Sequence, residues 1–234
     1  MKIVKEFSRF ADEYNRHNII QSEVAVMLTS MLNKQHYTKM LDLGSGSGAV
    51  YNSLEKKQII VKKFIALDFS DEMLNHHPSA SNIQKKCLDF NQFSSFKDYN
   101  SNEFDVVISA SALQWSSNLS LLLHSISHLA SEYYFAFFTS NTFATLHQCS
   151  GAKSPIYSKE EIIDALKSTG YKFESMVKSY RLEFISVREM FRYIKQSGVS
   201  GGTGQLTYQQ MKKLMREYPL DYLEFEVLFI QATH

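Results

Sequence analysis

The chain has 234 residues, 44% of them apolar and 21% charged, with a formal net charge of +1. That length and apolar content suffice for one large α/β domain with a sizeable buried core, and the near-neutral balance excludes a global field of the kind that gathers nucleic acids or other polyanions. The longest apolar runs, such as residues 133–138, fall far short of the ~20 residues a membrane-spanning helix needs. Residues 1–10 alternate charged and apolar side chains without the apolar core of a secretory signal, and Cys87 and Cys149 form no CxxC pair. The expectation is a cytoplasmic, reduced, soluble chain without a structural metal or a membrane partner.

In chain order, Phe7, Phe10, Ala11 and Tyr14 and then Val24, Met27, Leu28 and Met31 recur at helical spacing, so residues 4–33 are predicted to be helical. A short apolar run over 39–43 ends in Gly44, and residues 49–57 follow as a helix. Strand, glycine loop, helix is the opening of a nucleotide-type βαβ unit. The alternation continues with strands over 64–67, 83–87, 104–108 and 133–138 and helices over 71–75 and 119–129. A helix over 159–168 stops at Gly170, and 172–180 is predicted as a sixth strand. Two consecutive helices, 187–195 and 208–217, flank a glycine-rich stretch and suggest an inserted lid. After Pro219, residues 222–230 are aromatic and β-branched, which predicts a last strand.

Chemistry concentrates in the loop Asp42-Leu43-Gly44-Ser45-Gly46-Ser47-Gly48. Glycines at such a strand-to-helix turn let backbone approach a ligand closely. With Ala49 the loop also reads as G-x-G-x-x-A, a dinucleotide fingerprint. Asp42 argues against that, because a carboxylate before the glycines repels a pyrophosphate and suits a ligand bearing an ammonium. S-adenosylmethionine carries an ammonium and a sulfonium and no phosphate. Asp68, followed by Phe69, ends the second strand, where a carboxylate can accept both ribose hydroxyls. Asp89-Phe90 after the third strand offers an acceptor and a ring to adenine, Met73 can cover the other adenine face, and Ala110, after the fourth strand, is a further candidate cofactor contact. Each has a plainer alternative: Asp42 a solvated strand end, Asp68 a helix N-cap, Asp89 a turn residue. Their joint occurrence in the order one fold requires favours the cofactor.

Over residues 40–140 this pattern resembles the class I S-adenosylmethionine-dependent methyltransferases. The resemblance implies an α/β, Rossmann-like, doubly wound sheet, mostly parallel with an antiparallel last strand, plus N-terminal helices and a helical lid insertion. A single domain over 1–234 is expected: a preface over 1–38, a cofactor-binding core over 39–180, a lid over 187–217 and a final strand over 221–231.

Short segments outside the core narrow the likeness. Phe7-Ser8-Arg9, Tyr14, His17 and Gln21, then Leu113-Gln114-Trp115, Leu146-His147-Gln148, Arg192, Lys195 and Tyr218-Pro219-Leu220 resemble the malonyl-acyl-carrier-protein O-methyltransferases of biotin synthesis. The glycine-rich stretch 199–204 departs from that pattern. The likeness implies methyl transfer to the free carboxylate of a malonyl thioester on acyl carrier protein. It places Tyr14 over the sulfonium, as both cofactor contact and catalytic positioning group, against the alternative of a core-facing aromatic on the Phe7, Phe10, Tyr14 stripe. Gln114 and Trp115 face the same crevice from the fourth strand. His17, Arg192 and Lys195 are candidate substrate contacts, although a cationic stripe at helical spacing is most often solvated. The competing functions are methylation of another small carboxylic acid or a quinone precursor, non-catalytic binding of S-adenosylmethionine, and an NAD-dependent oxidoreductase, which Asp42 disfavours.

Overall fold

The structure, a computed structural model, describes residues 19–196 and 208–234. The sheet contains β1 (His36–Leu43), β2 (Ile60–Asp68), β3 (Ile83–Cys87), β4 (Val106–Ala110), β5 (Glu132–Phe138), β6 (Lys172–Glu183) and β7 (Tyr222–Thr233). Their spatial order is β3-β2-β1-β4-β5-β7-β6. The pairs among β1 to β5 are all parallel, and β7 runs antiparallel to both β5 and β6. This is the class I methyltransferase arrangement. The strand order reverses between β1 and β4, so the crevice beyond their carboxyl ends lies at the topological switch point of the sheet.

The helices are α1 (Ile19–Ser30), α2 (Ala49–Lys56), α3 (Asp71–His76), α4 (Leu119–Ile126), α5 (Ala144–Ser150), α6 (Lys159–Ser168), α7 (Val187–Gln196) and α8 (Tyr208–Glu217). They divide between the two faces of the sheet. One core gathers Val24 and Leu28 of α1 and Val50 and Leu54 of α2 on Met40, Phe64 and Tyr134. The other gathers Leu122 and Leu123 of α4 and Ile162 and Leu166 of α6 on Leu41, Ile65 and Phe135. Alternate residues of the central strands thus serve opposite layers, as a sheet covered on both faces requires.

Several boundaries differ from expectation, for physical reasons. β1 and β2 begin three and four residues earlier than their apolar runs (His36 against 39, Ile60 against 64), because their first halves alternate exposed and buried side chains. β4 starts at Val106 rather than at 104, since Phe104 and Asp105 are drawn out of the ladder: the Phe104 amide bonds the Leu129 carbonyl at 3.0 Å and the Asp105 carboxylate accepts the Thr38 and Lys39 amides. Helix α4 stops at Ile126 instead of 129, and Tyr133 Oη gathers the carbonyls of Ile126, Ser127 and Ala130 beyond it. Helix α5 carries no side-chain cap: its N-cap Phe143 sits at φ 59°, so the usual start signal is missing. The residues expected to be helical before 19 and the glycine-rich stretch 199–204 lie outside the described residues.

Candidate active site

A cleft of about 730 Å³, open to solvent, lies at the switch point. Gly44, Ser45, Gly46 and Ser47 after β1 form its floor. Asp68 and Phe69 after β2, Met73 of α3 and Phe90 after β3 form one end; Ala110, Ser111, Ala112 and Trp115 after β4, with Gln21 of α1, form the other. Of the positions proposed from sequence, Gly44, Ser45, Gly46, Asp68, Phe69, Met73, Phe90, Ala110 and Trp115 are together on this wall.

The loop's amides are already engaged inside the protein. The Leu67 carbonyl accepts the N–H groups of Gly44 at 2.8 Å and Ser45 at 2.9 Å, Asp68 Oδ2 accepts that of Gly46 at 2.9 Å, and the Ser45 carbonyl accepts that of Gly48 at 2.9 Å. A dinucleotide loop offers such amides to a pyrophosphate; this loop turns them inward. Ligands without phosphate fit it better, in agreement with the chemistry argued from Asp42.

The glycines divide by function. A Cβ on Gly44, at φ +73°, would fall 2.2 Å from the Cβ of Ala112, and one on Gly48 would fall 2.5 Å from Pro78 Cδ. Both are glycine because protein packs against them. Gly48 therefore does not line the cleft; it joins α2 to the end of α3. At Gly46 the added Cβ would meet only the flexible tip of Met73, at 3.3 Å, so this glycine is the one that keeps the floor open.

Two carboxylates lie beneath and beside the loop. Asp68 is buried and accepts the amides of Gly46 and, at 2.9 Å, Ser70. Burial pushes its carboxyl above the usual range, and those backbone hydrogen bonds oppose the shift. Asp42 is fully buried, with neither carboxylate oxygen hydrogen-bonded. Burial first, and then the charge of Asp68, raise its carboxyl well above the ordinary range. It stands behind the loop rather than on the wall. An unpaired buried carboxylate is costly, and an ammonium bound at the loop would offset part of that cost. This donor set is compatible with S-adenosylmethionine: Asp68 would serve the ribose, Met73 and Phe90 would flank the adenine, and Asp42 would face the amino group.

Asp89 does not reach the cleft. Its Oδ1 accepts the backbone amide and side-chain Nδ2 of Asn91 at 2.9 and 3.0 Å, and Asn91 Oδ1 in turn accepts the Ser117 amide at 2.8 Å. This chain ties the loop carrying Phe90 to the loop carrying Trp115. Gln114 is buried and donates from Nε2 to the Ser111 carbonyl at 2.7 Å, so it braces the β4 turn and leaves the wall to its neighbours. Arg192 is exposed on α7, away from the described wall. Tyr14 and His17 lie outside the described residues, as does the Lys195 side chain. Sequence reasoning assigned nothing to Ser111, Ala112 or Ser47 and named Gln21 only as part of the family likeness. The first three offered no signal, because what singles them out is where the β4 turn and the loop meet. Among the described residues no cluster of His, Cys, Asp or Glu has the makings of a metal site, and no helix is long and apolar enough to cross a membrane.

Comparison with known proteins agrees with the geometry. A family model described as a methyltransferase domain matches residues 41–132. The malonyl-[acyl-carrier protein] O-methyltransferase of Bacillus cereus is 26% identical over 98% of this chain and 95% of its own length, and that of Acinetobacter baylyi 22% identical over 96% and 88%. Among solved structures, a methyltransferase of Bacillus halodurans superposes with a TM-score of 0.63 at 14% identity, covering 90% of this chain and 98% of its own. A Haemonchus contortus N-methyltransferase in complex with phosphomonomethylethanolamine and S-adenosylhomocysteine superposes with a TM-score of 0.57 at 14% identity, covering 89% of this chain and 52% of its own. These neighbours show the fold, and the fold leaves the acceptor open. The chain is an S-adenosylmethionine-dependent methyltransferase of the class I fold that resembles the malonyl-acyl-carrier-protein O-methyltransferases.

Proposed function

We propose that this enzyme methylates the free carboxylate of a malonyl thioester carried on acyl carrier protein. The observation that carries the reading is the chemistry of the wall. Among the described lining residues Asp68 alone is ionisable, and it is held by the loop amides. An alcohol or an ammonium acceptor has to lose a proton, and no described side chain of the cleft stands ready to take it. A carboxylate with a pKa of about 4 is ionised at neutral pH and needs no base. The cofactor supplies a methyl group on a sulfonium: the carboxylate oxygen's pair forms the O–CH3 bond, the C–S pair returns to sulfur, and methyl ester and S-adenosylhomocysteine leave as neutral groups. What remains for the protein is to align the reactants and exclude water, and orientation alone can supply roughly 7–11 kcal/mol of the barrier.

The relatives' names favour the carrier-bound acid. The exposed cations Arg188 and Arg192 on α7 and Lys212 and Lys213 on α8 supply a basic surface for an acidic carrier. The family likeness assigns Tyr14 and His17 to the reacting centre and Lys195 to the carrier or its prosthetic arm; Tyr14, His17 and the Lys195 side chain lie outside the described residues. The same wall serves any small carboxylic acid, so the acceptors have to be compared. Label carried from the methyl group of S-adenosylmethionine to malonyl carrier protein, malonyl-coenzyme A and free malonate is the test. The expected product releases methanol in mild alkali and forms fastest on the carrier protein. Label that withstands alkali overturns the ester, and equal rates on free malonate overturn the carrier.

A further inference from the structure

Besides Ser45 on the glycine loop, whose Oγ is also buried and unpartnered, two polar side chains of the cleft have no part in the chemistry above. Gln21 is 8% exposed, with its Oε1 buried and without a hydrogen-bond partner, and Ser111 Oγ is likewise buried and unpartnered. Both line the cleft. A buried amide or hydroxyl left unpaired is destabilising, and such exceptions in a folded protein call for a cause. Ser111 adds a second anomaly: its φ of 61° lies in the left-handed region that serine rarely adopts. The structure holds it there from both sides, its amide on the Ala136 carbonyl at 2.9 Å and its carbonyl on Gln114 Nε2 at 2.7 Å. Enforced strain and an unsatisfied donor on one residue point to a ligand rather than to stability.

Position indicates which ligand. Asp68, Met73 and Phe90 stand beyond β2 and β3, whereas Ser111 follows β4 and Gln21 belongs to α1, which packs against β4 and β5. With the nucleoside at the Asp68 end, the reacting methyl group points toward the β4 end. We propose that the Ser111 hydroxyl holds the acceptor carboxylate by donating O–H to it, and that Gln21, whose orphaned Oε1 is itself an acceptor, adds the N–H of its Nε2. This rests on the carboxylate reading above and adds that the clamp is uncharged. In the transfer an anion and a sulfonium become a neutral ester and a neutral thioether, and no proton moves, so charge disappears along the reaction. A fixed guanidinium would stabilise the ionised acceptor more than the transition state, and only the opposite preference accelerates. Neutral donors fix the oxygen's direction with a smaller penalty of that kind, in a wall whose apolar faces replace water. The exposed position of Arg192 agrees with this division: attraction outside, dipoles inside.

The variants Gln21→Leu and Ser111→Gly test the clamp, the second being tolerant of the φ of 61° that Ser111 adopts. Calorimetry with S-adenosylhomocysteine, then with malonyl-coenzyme A on the loaded protein, separates the two ends of the cleft. S-adenosylhomocysteine affinity should stay within about twofold of wild type, while malonyl-coenzyme A affinity and kcat/KM on malonyl carrier protein fall roughly tenfold to a hundredfold, as when a hydrogen bond to a charged group is lost. Gln21→Lys should lower KM for the acceptor and lower kcat with it. Weakened S-adenosylhomocysteine binding with unchanged acceptor kinetics, or a raised kcat in Gln21→Lys, overturns the proposal. Wild-type enzyme that forms no ester on any malonyl substrate refutes the carboxylate reading and the clamp with it; ester formation unaltered in Gln21→Leu and Ser111→Gly refutes the clamp alone.

Discussion

At the carboxyl ends of β1 and β2, two carboxylates are taken out of water: Asp42 with no hydrogen bond and Asp68 with two backbone amides. On α7 and α8, Arg188, Arg192, Lys212, Lys213 and Arg216 stand in solvent, and among the described residues Glu217, itself exposed, lies 3.0 Å from Arg216 and 3.9 Å from Lys213. The first region accepts a standing cost to hold charge where a cofactor will use it, since buried ionisable groups of shifted pKa cluster at working sites. The second accepts almost none: exposed ion pairs contribute about 0–1 kcal/mol and are screened by salt. One region specifies, the other attracts, and substitutions in them should differ in kind as well as in size.

The largest effect is expected where protein packs on protein at the loop. Gly44→Ala places a methyl 2.2 Å from Ala112 Cβ at φ +73°, which combines left-handed strain with overpacking and should cost about 2–5 kcal/mol of stability. Gly46→Ala meets only the Met73 tip; its cost should be about 1 kcal/mol, with the loss appearing in S-adenosylhomocysteine affinity. Urea unfolding of the two variants, paired with calorimetry, checks the contrast. Equal destabilisation would show that the glycines are interchangeable and that their division is wrong.

A smaller effect should appear in the pH dependence of the ligand-free protein. Asp42 titrates above its ordinary range in the folded chain because of burial, with the Asp68 charge adding to it. The folded state therefore binds a proton that the unfolded chain has released, so the contribution is favourable below the unfolded value, about 4, and is lost as pH rises through the higher folded value. Wild-type Tm should fall as pH climbs out of the acidic range. Asp42→Asn should flatten that fall, leaving the part due to Asp68, and should raise Tm at neutral pH while weakening cofactor binding. A pH profile identical to wild type would mean that the Asp42 carboxyl is not desolvated in the folded protein.

This contrast bears on what was legible in the sequence. The order of strands and helices from β1 to β5 was readable, because apolar runs, the Asp42–Gly48 loop and strand-ending acidic residues are local signals. Helix α5 was not, since Phe143 at φ 59° replaces a polar cap, and neither were the solvent-alternating first halves of β1 and β2. Within the cleft, residues whose type announces chemistry were noticed and those whose environment creates it were missed. Asp89 has the right type and makes a turn; Ser111 has an ordinary type, and only its backbone strain and unpaired hydroxyl, both consequences of β4 meeting β5, set it apart. Gly44 and Gly48 were read as ligand approach, yet the atoms that exclude a Cβ come from the loops after β4 and α3, distant in sequence.

The smallest effect should come from Arg192. Arg192 is a candidate substrate contact by its sequence, but it is exposed while Met190 and Ile194 face the core. An exposed guanidinium adds to the field that an acidic carrier meets during approach, and such a field acts on the association rate and fades over a Debye length of about 8 Å at physiological ionic strength. Arg192→Ala should therefore leave kcat unchanged, lower kcat/KM on malonyl carrier protein by about two- to fivefold at low salt, and lose that difference at high salt. Malonyl-coenzyme A, which carries no acidic protein surface, should show little change at either. Steady-state kinetics on both substrates at two ionic strengths measure this directly. A loss of kcat on both substrates that persists at high salt would place the guanidinium on the acceptor itself and move specificity from the cleft to α7.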